Sequence, residues 1–191
     1  LDAIEVSADA AEPSGTAPSD GYTAEATVTG TKTTTNVVET PQSISTVTAD
    51  QIEDQNAANL GEVLRYTAGA RGETFGFEPR TTFLRIRGFD VATSGLFRDN
   101  LKLANPGFAA GYSLEPYGAE RIDVLKGPSS VLYGQAGPGG LVNYVSKRPT
   151  FDTRREVRVE AGTNDLVQGH FDISGAVNDS DTLAVRLVGL V

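Results

Sequence analysis

Between positions 35 and 150 the apolar residues fall into short runs of changing period; after Pro149 the period settles at two. Residues 43–47 alternate β-branched and polar side chains and predict a strand. Thr48, with Gln51 three positions on, matches a capping box and predicts a helix start. Leu60, Val63 and Leu64 share one face of a second helix over 59–66, which Thr67, Ala68 and Gly69 stop. Residues 82–87 and 95–100 predict two further strands, the first ended by Gly88 and the second turning at Asp99-Asn100. Strands at 122–126 and 141–145 flank a short helix opened by Pro128. Gly134, Gly137, Gly139 and Gly140 permit tight bends between that helix and the last strand.

Beyond Pro149, residues 156–161 and 168–174 alternate strictly and 183–188 less cleanly, with turn clusters at 162–165 and 178–181. Alternating segments of about ten residues split by turns are the pattern of transmembrane β-barrel strands. A soluble β-meander has the same pattern at this length. Three strands cannot close a barrel, and an open edge cannot face lipid, so the expectation is the front part of a longer protein. At the other end, residues 1–36 are rich in Ala, Thr, Ser, Gly and Pro. Residues 9–21 hold almost no bulky apolar side chain to offset the entropy of ordering, which predicts a flexible tether over 9–34. Ahead of it Ile4 and Val6 alternate with polar neighbours over 1–8. Such a segment suits either an extended strand that adds to a partner's sheet or a disordered terminus.

Composition removes several classes. The 191 residues carry 16 basic and 25 acidic side chains, a formal charge of -9, which disfavours nucleic acid and anionic lipid as partners. With no cysteine and one histidine, there is no disulfide framework, and neither a multi-histidine metal site nor a histidine-based triad is expected. Ser129 and Ser130 follow Gly127-Pro128 rather than forming a nucleophile elbow. Asp179 and Asp181 lack the glycine and distal glutamate of a calcium loop. The glycines around Pro138 form neither a Walker loop nor a dinucleotide fingerprint. The expectation is therefore no enzyme, no cofactor and no metal site. No apolar run reaches the ~18 residues of a membrane-spanning helix. Without an initiator Met or a leader the chain reads as processed or excised. Two aromatic loops are the ligand candidates: 71–80, with Phe75, Phe77 and Arg80, and 104–116, with Phe108 and Tyr112. Rings with a few donors suit a bulky, nearly neutral ligand; the same rings would also serve as a small core.

Four stretches carry a family resemblance. They are Asp2 to Ser7; Thr40-Pro41-Gln42-Ser43-Ile44-Ser45 through Gln51-Ile52; Leu84-Arg85-Ile86-Arg87-Gly88-Phe89; and Glu120 to Pro149. In that order they resemble the plug domain of TonB-dependent outer-membrane receptors, which import ferric siderophores, and within these the ferrichrome and other hydroxamate types. The resemblance implies an α+β fold: a small mixed four-stranded sheet with short helices, followed by the first strands of a transmembrane β-barrel of about 22 strands. It implies a TonB box-like segment over 1–8, a linker over 9–34, a plug over 35–150 and barrel strands over 151–191. Asp2, Ala3, Ile4, Glu5, Val6 and Ser7 would bind TonB. Phe75, Phe77, Arg80, Phe108 and Tyr112, with Ser94 and Gly95 as a third apex, would face the siderophore. Arg87 and Lys126 would latch the plug to acidic side chains of the chain's own C-terminal barrel; family members more often place arginine where Lys126 stands, and lysine lacks the bidentate fork. The implied place is the outer membrane of a Gram-negative bacterium, with the N-terminus in the periplasm and iron carried only as siderophore complex. Alternatives are a soluble periplasmic interaction or signalling domain with a plug-like fold, and a receptor for a cobalamin or a haem.

Overall fold

A computed structural model of the chain describes residues 14–76, 80–105, 111–178 and 182–191. Its centre is a mixed sheet of β3 (Ser43–Thr48), β7 (Leu96–Arg98), β8 (Leu101–Lys102), β9 (Ala119–Lys126) and β10 (Gly140–Ser146) in the order β3-β9-β10-β7-β8. β10 runs parallel to β7 and antiparallel to β9. The strands expected at 43–47, 95–100, 122–126 and 141–145 form this sheet, and the two-residue β8 adds a fifth as the hairpin partner of β7. β9 and β10 are buried along nearly their whole length because both faces of the sheet are covered, which is why they read as apolar runs rather than alternation.

One face carries the main core. Val47, Ile122, Val124, Val142 and Tyr144 pack against Ile52 of α1 (Ala49–Asp54) and Leu60, Val63 and Leu64 in and after α2 (Leu60–Val63). Thr48 caps α1 as its sequence predicts, its Oγ1 accepting from the Gln51 amide at 3.3 Å. Asn59 does the same for α2, accepting from the Glu62 amide at 3.0 Å. α2 is shorter than the expected 59–66 because only one turn of apolar side chains faces the core; Arg65 and Tyr66 point to solvent, and Gly69 follows at φ +75°. The expected strand over 82–87 contracts to β5 (Arg85–Ile86), between β4 (Ala70–Arg71) and β6 (Phe89–Asp90). Thr81 to Leu84 are buried without joining a ladder, so their apolar pattern reported burial rather than pairing.

The second face is divided. At one end Phe97, Leu125 and Leu141 meet Tyr133 of α3 (Ser130–Tyr133), which begins two residues after Pro128. The glycine bend then re-enters the sheet by close approach: a Cβ at Gly139 would lie 2.2 Å from the Ile86 carbonyl oxygen, and one at Gly140 2.1 Å from that of Leu125. At the other end the face is polar. Arg121, Asp123 and Asn143 are covered by residues 14–36, which include the hairpin of β1 (Ala26–Thr27) and β2 (Thr35–Asn36). The expected flexible linker over 9–34 is thus corrected for 14–34, which form a strap packed on the sheet. Thr27 and Thr29 are fully buried and donate to Asp123 Oδ2 at 2.7 and 2.6 Å. Asn143 donates to Thr29 Oγ1 at 2.9 Å, the Tyr133 hydroxyl donates to the Thr29 carbonyl at 2.7 Å, and Arg121 donates to the Gly15 carbonyl. The strap is held by hydrogen bonds that satisfy buried polar groups, not by bulky apolar side chains.

The last element is a separate antiparallel meander of β11 (Arg154–Ala161), β12 (Val167–Ala176) and β13 (Ala184–Leu190). Its polarity is inside out. Val157, Val159, Val167, Ile173, Val185 and Leu187 are exposed, whereas His170, Asp172 and Ser174 are buried toward the central sheet. On the outer face Phe171 lies across Gly189, where a Cβ would come within 2.3 Å of the ring.

Candidate functional site

Side chains from the central sheet and the meander meet in one buried charge cluster. The strict alternation of β12 turns Asp172 inward, and the register of β13 sets Arg186 diagonally across from it. Arg186 grips Asp172 bidentately, Nε at 2.8 Å and Nη2 at 2.6 Å, and reaches Glu120 of β9 at 3.3 Å with Nη1. Lys147, one residue past β10, lies 3.2 Å from Asp172, and Arg154 of β11 lies 3.4 Å from it. The side chains of Asp172, Arg186, Glu120 and Lys147 are at most 7% exposed. Burial pushes the Lys147 ammonium down, partly countered by Asp172. Buried pairs of this kind add little net stability, since desolvation offsets attraction, but removing one partner strands a buried charge. The cluster joins the meander to β9 and to the end of β10.

A second row of contacts lies beside it. Arg158 of β11 pairs with Glu53 of α1, and Asn56 donates to Glu160 at 3.4 Å. The Tyr117 hydroxyl donates to Glu156 at 3.4 Å, and the Tyr117 ring meets His170 edge-on at 4.7 Å. Burial, then the charges of Glu156 and Asp172, push the Tyr117 hydroxyl up to about 12. Sequence reasoning missed this docking surface. Its signal was available: Glu156, Arg158, Glu160, His170 and Asp172 all occupy one parity of the alternating pattern.

The expected ligand residues divide. Phe77 and Phe108 lie outside the described residues, as do Asp2 to Ser7. The Thr82 amide donates to the Tyr112 carbonyl at 3.2 Å, which brings the two aromatic loops side by side. Phe75 is 59% exposed and meets Phe83 edge-on at 5.1 Å. Arg80 is exposed, while Tyr112 is half-buried against the main core. A cleft between the loops is lined by Gly76, Thr81, Thr82, Phe83 and Ser113. The hydroxyls of Thr81 and Thr82 are buried there without a partner. Ser94 is half-buried beside the glycine bend. Gly95 departs from its expected role as a surface apex: it is enclosed, a Cβ there would sit 2.8 Å from Val91, and its carbonyl accepts from the Val142 amide at 2.8 Å. The packing of β7 on β10 requires that close approach.

Arg87 and Lys126 come together at the far end of the sheet. Arg87 takes φ +51° ahead of Gly88, and its guanidinium lies near Gly127. Burial lowers the Lys126 pKa, and the Arg87 charge lowers it further. Lys126 donates to Ser45 at 2.7 Å. Among the described residues no carboxylate pairs with either cation, and no group of three or more potential metal ligands is found.

Comparison with known proteins agrees with this architecture. The family model of the TonB-dependent receptor plug domain matches residues 36–141. The chain is 40% identical over 187 residues to the ferrichrome outer membrane transporter/phage receptor of Escherichia coli (strain K12), covering 96% of this chain and 25% of that protein. It is 40% identical over 191 residues to the ferrioxamine receptor of Yersinia enterocolitica, covering 99% of this chain and 26% of that one. The pyoverdine outer membrane receptor FpvA from Pseudomonas aeruginosa PAO1, solved bound to pyoverdine, superposes with a TM-score of 0.81 at 28% identity over 92% of this chain and 25% of that chain. The chain thus spans about a quarter of the length of the relatives it matches. With a mixed sheet and short helices where that family model falls, the chain belongs to the TonB-dependent receptor plug domain family.

Proposed function

We propose that this chain is the plug, with the opening wall strands, of an outer-membrane receptor that imports a ferric siderophore of the hydroxamate class using energy delivered by TonB. The observation that carries the reading is the inside-out meander. A sheet with valines and leucines outward and a buried ion-pair cluster inward is costly in water but suits a wall between lipid and a filled lumen. The likeness to a ferrichrome transporter and a ferrioxamine receptor supports the hydroxamate class.

In this reading the plug sits in the lumen of a barrel in the outer membrane of a Gram-negative bacterium, its N-terminus toward the periplasm. The aromatic loops bearing Phe75, Phe77, Arg80, Phe108 and Tyr112 meet the siderophore, with Ser94 at the edge of that surface. Arg87 and Lys126 offer two adjacent cations to carboxylates elsewhere on the wall. Asp2 to Ser7 pair as a strand with TonB. No bond is made or broken in the cargo; the work is mechanical, and the chain is not an enzyme. Deleting residues 2–7 from the complete receptor is expected to abolish uptake of ferric hydroxamate while leaving its binding at the cell surface unchanged. Equal uptake with and without those residues overturns the TonB-driven reading.

A further inference from the structure

Beside the charge cluster the docking surface encloses a cleft that the transport reading does not use. It lies between α1, the turn at Pro116–Gly118 and the inner face of β11 and β12, and holds about 170 Å³, well beyond the ~10–15 Å³ that one water needs. His170, the chain's one histidine, lines it. That residue is 8% exposed, and neither ring nitrogen has a hydrogen-bond partner among the described residues. Buried polar atoms are satisfied in folded proteins, so the imidazole calls for a partner the cleft must supply. Its Nε2 stands 3.9 Å from Glu160 Oε2, too long for a hydrogen bond and the right gap for one donor atom about 2.8 Å from each.

The charges around the cleft define that donor. Every lysine and arginine lining it is already committed: Arg158 to Glu53 and Glu156, Arg154 to Glu156 and Asp172, Lys147 to Asp172. Three carboxylates on the rim are not matched by a cation among the described residues. Glu160 accepts only the Asn56 amide, Glu115 the Tyr117 backbone amide, and Asp50 the Gly21 backbone amide. Ile52, Ala57 and Leu166 supply an apolar lining alongside.

We propose that this cleft is a binding site for a primary alkylammonium, its nitrogen bridging Glu160 and His170 and its methylenes lying on Ile52, Ala57 and Leu166. Plug-side and wall-side residues both contribute, so the bound cation also ties the two together. The site depends only on the observed docking of the meander, and its failure would leave the transport reading standing.

Because the chain has one histidine, imidazole NMR signals report the site directly. The full chain is titrated at fixed pH with n-butylammonium, with n-butanol and tetramethylammonium as controls. The expected result is a saturable shift of the His170 signals with n-butylammonium alone. In Glu160→Gln the apparent affinity is expected to fall at least about tenfold, the loss of one charge-assisted bond, with an unchanged circular dichroism spectrum. Calorimetry on His170→Gln is expected to show weakened binding as well. No saturation, an equal response to butanol (a bridging water or hydroxyl only), or undiminished binding in a folded Glu160→Gln overturns the proposal.

Discussion

Asp172 shows how much of the docking rests on single side chains. It accepts from Arg186 and also faces Lys147 and Arg154. Replacing it by alanine leaves buried Lys147 without its anion and Arg186 with Glu120 alone, a class of change that costs about 3–5 kcal/mol. Urea unfolding of Asp172→Ala should show a loss of that size, while Ile173→Ala, at the next position of the same strand and on its outer face, should cost far less because its side chain is 47% exposed. Thr48 is a second case. Its hydroxyl caps α1 and also donates to the Gly21 carbonyl at 2.6 Å. Thr48→Ala should cost about 1 kcal/mol for the cap alone, and more in total because the strap loses an anchor. Thermal unfolding beside a Thr48→Ser control, which keeps both bonds, checks this.

At the scale of elements the strap is the least expected piece. Residues 14–34 read as linker because hydrophobic patterning detects only burial driven by apolar side chains, and threonines give it no signal. Their partners, Asp123 and Asn143, stand about a hundred positions away, and nothing local to Thr27 or Thr29 announces them. β9, β10 and the cap of α1 were legible because period, capping residue and glycine bends are local properties. The aromatic loops were legible as loops, but whether Gly95 is an apex or a packing point depends on the distance of β10, which only the fold sets. The strap's polar clasp predicts its behaviour. Thr27→Val with Thr29→Val removes two hydroxyls from Asp123 and leaves its carboxylate short of donors, a penalty of about 1–3 kcal/mol. Because the main core lies on the opposite face of the sheet, hydrogen exchange should quicken across residues 26–36 and change little in β9 and β10. Equal acceleration in both would mean that strap and core open as one unit.

At the scale of the molecule, sheet and meander share no backbone ladder among the described residues, and many of the contacts between them are ion pairs, so pH acts on their union. Asp172 accepts from Arg186 and faces Lys147 and Arg154, and Glu156 pairs with Arg154. Protonating either carboxyl in acid takes the anion away from these cations. Acid should therefore loosen the meander before it disturbs the apolar core. Tryptophan is absent, so a reporter such as Val188→Trp on the inner face, or exchange of the β12 amides, would follow the release. Asp172→Asn with Glu156→Gln should flatten the acid limb, with little dependence left between pH 5 and the lowest pH reached. An unchanged limb in that double variant would place the acid sensitivity outside the docking surface.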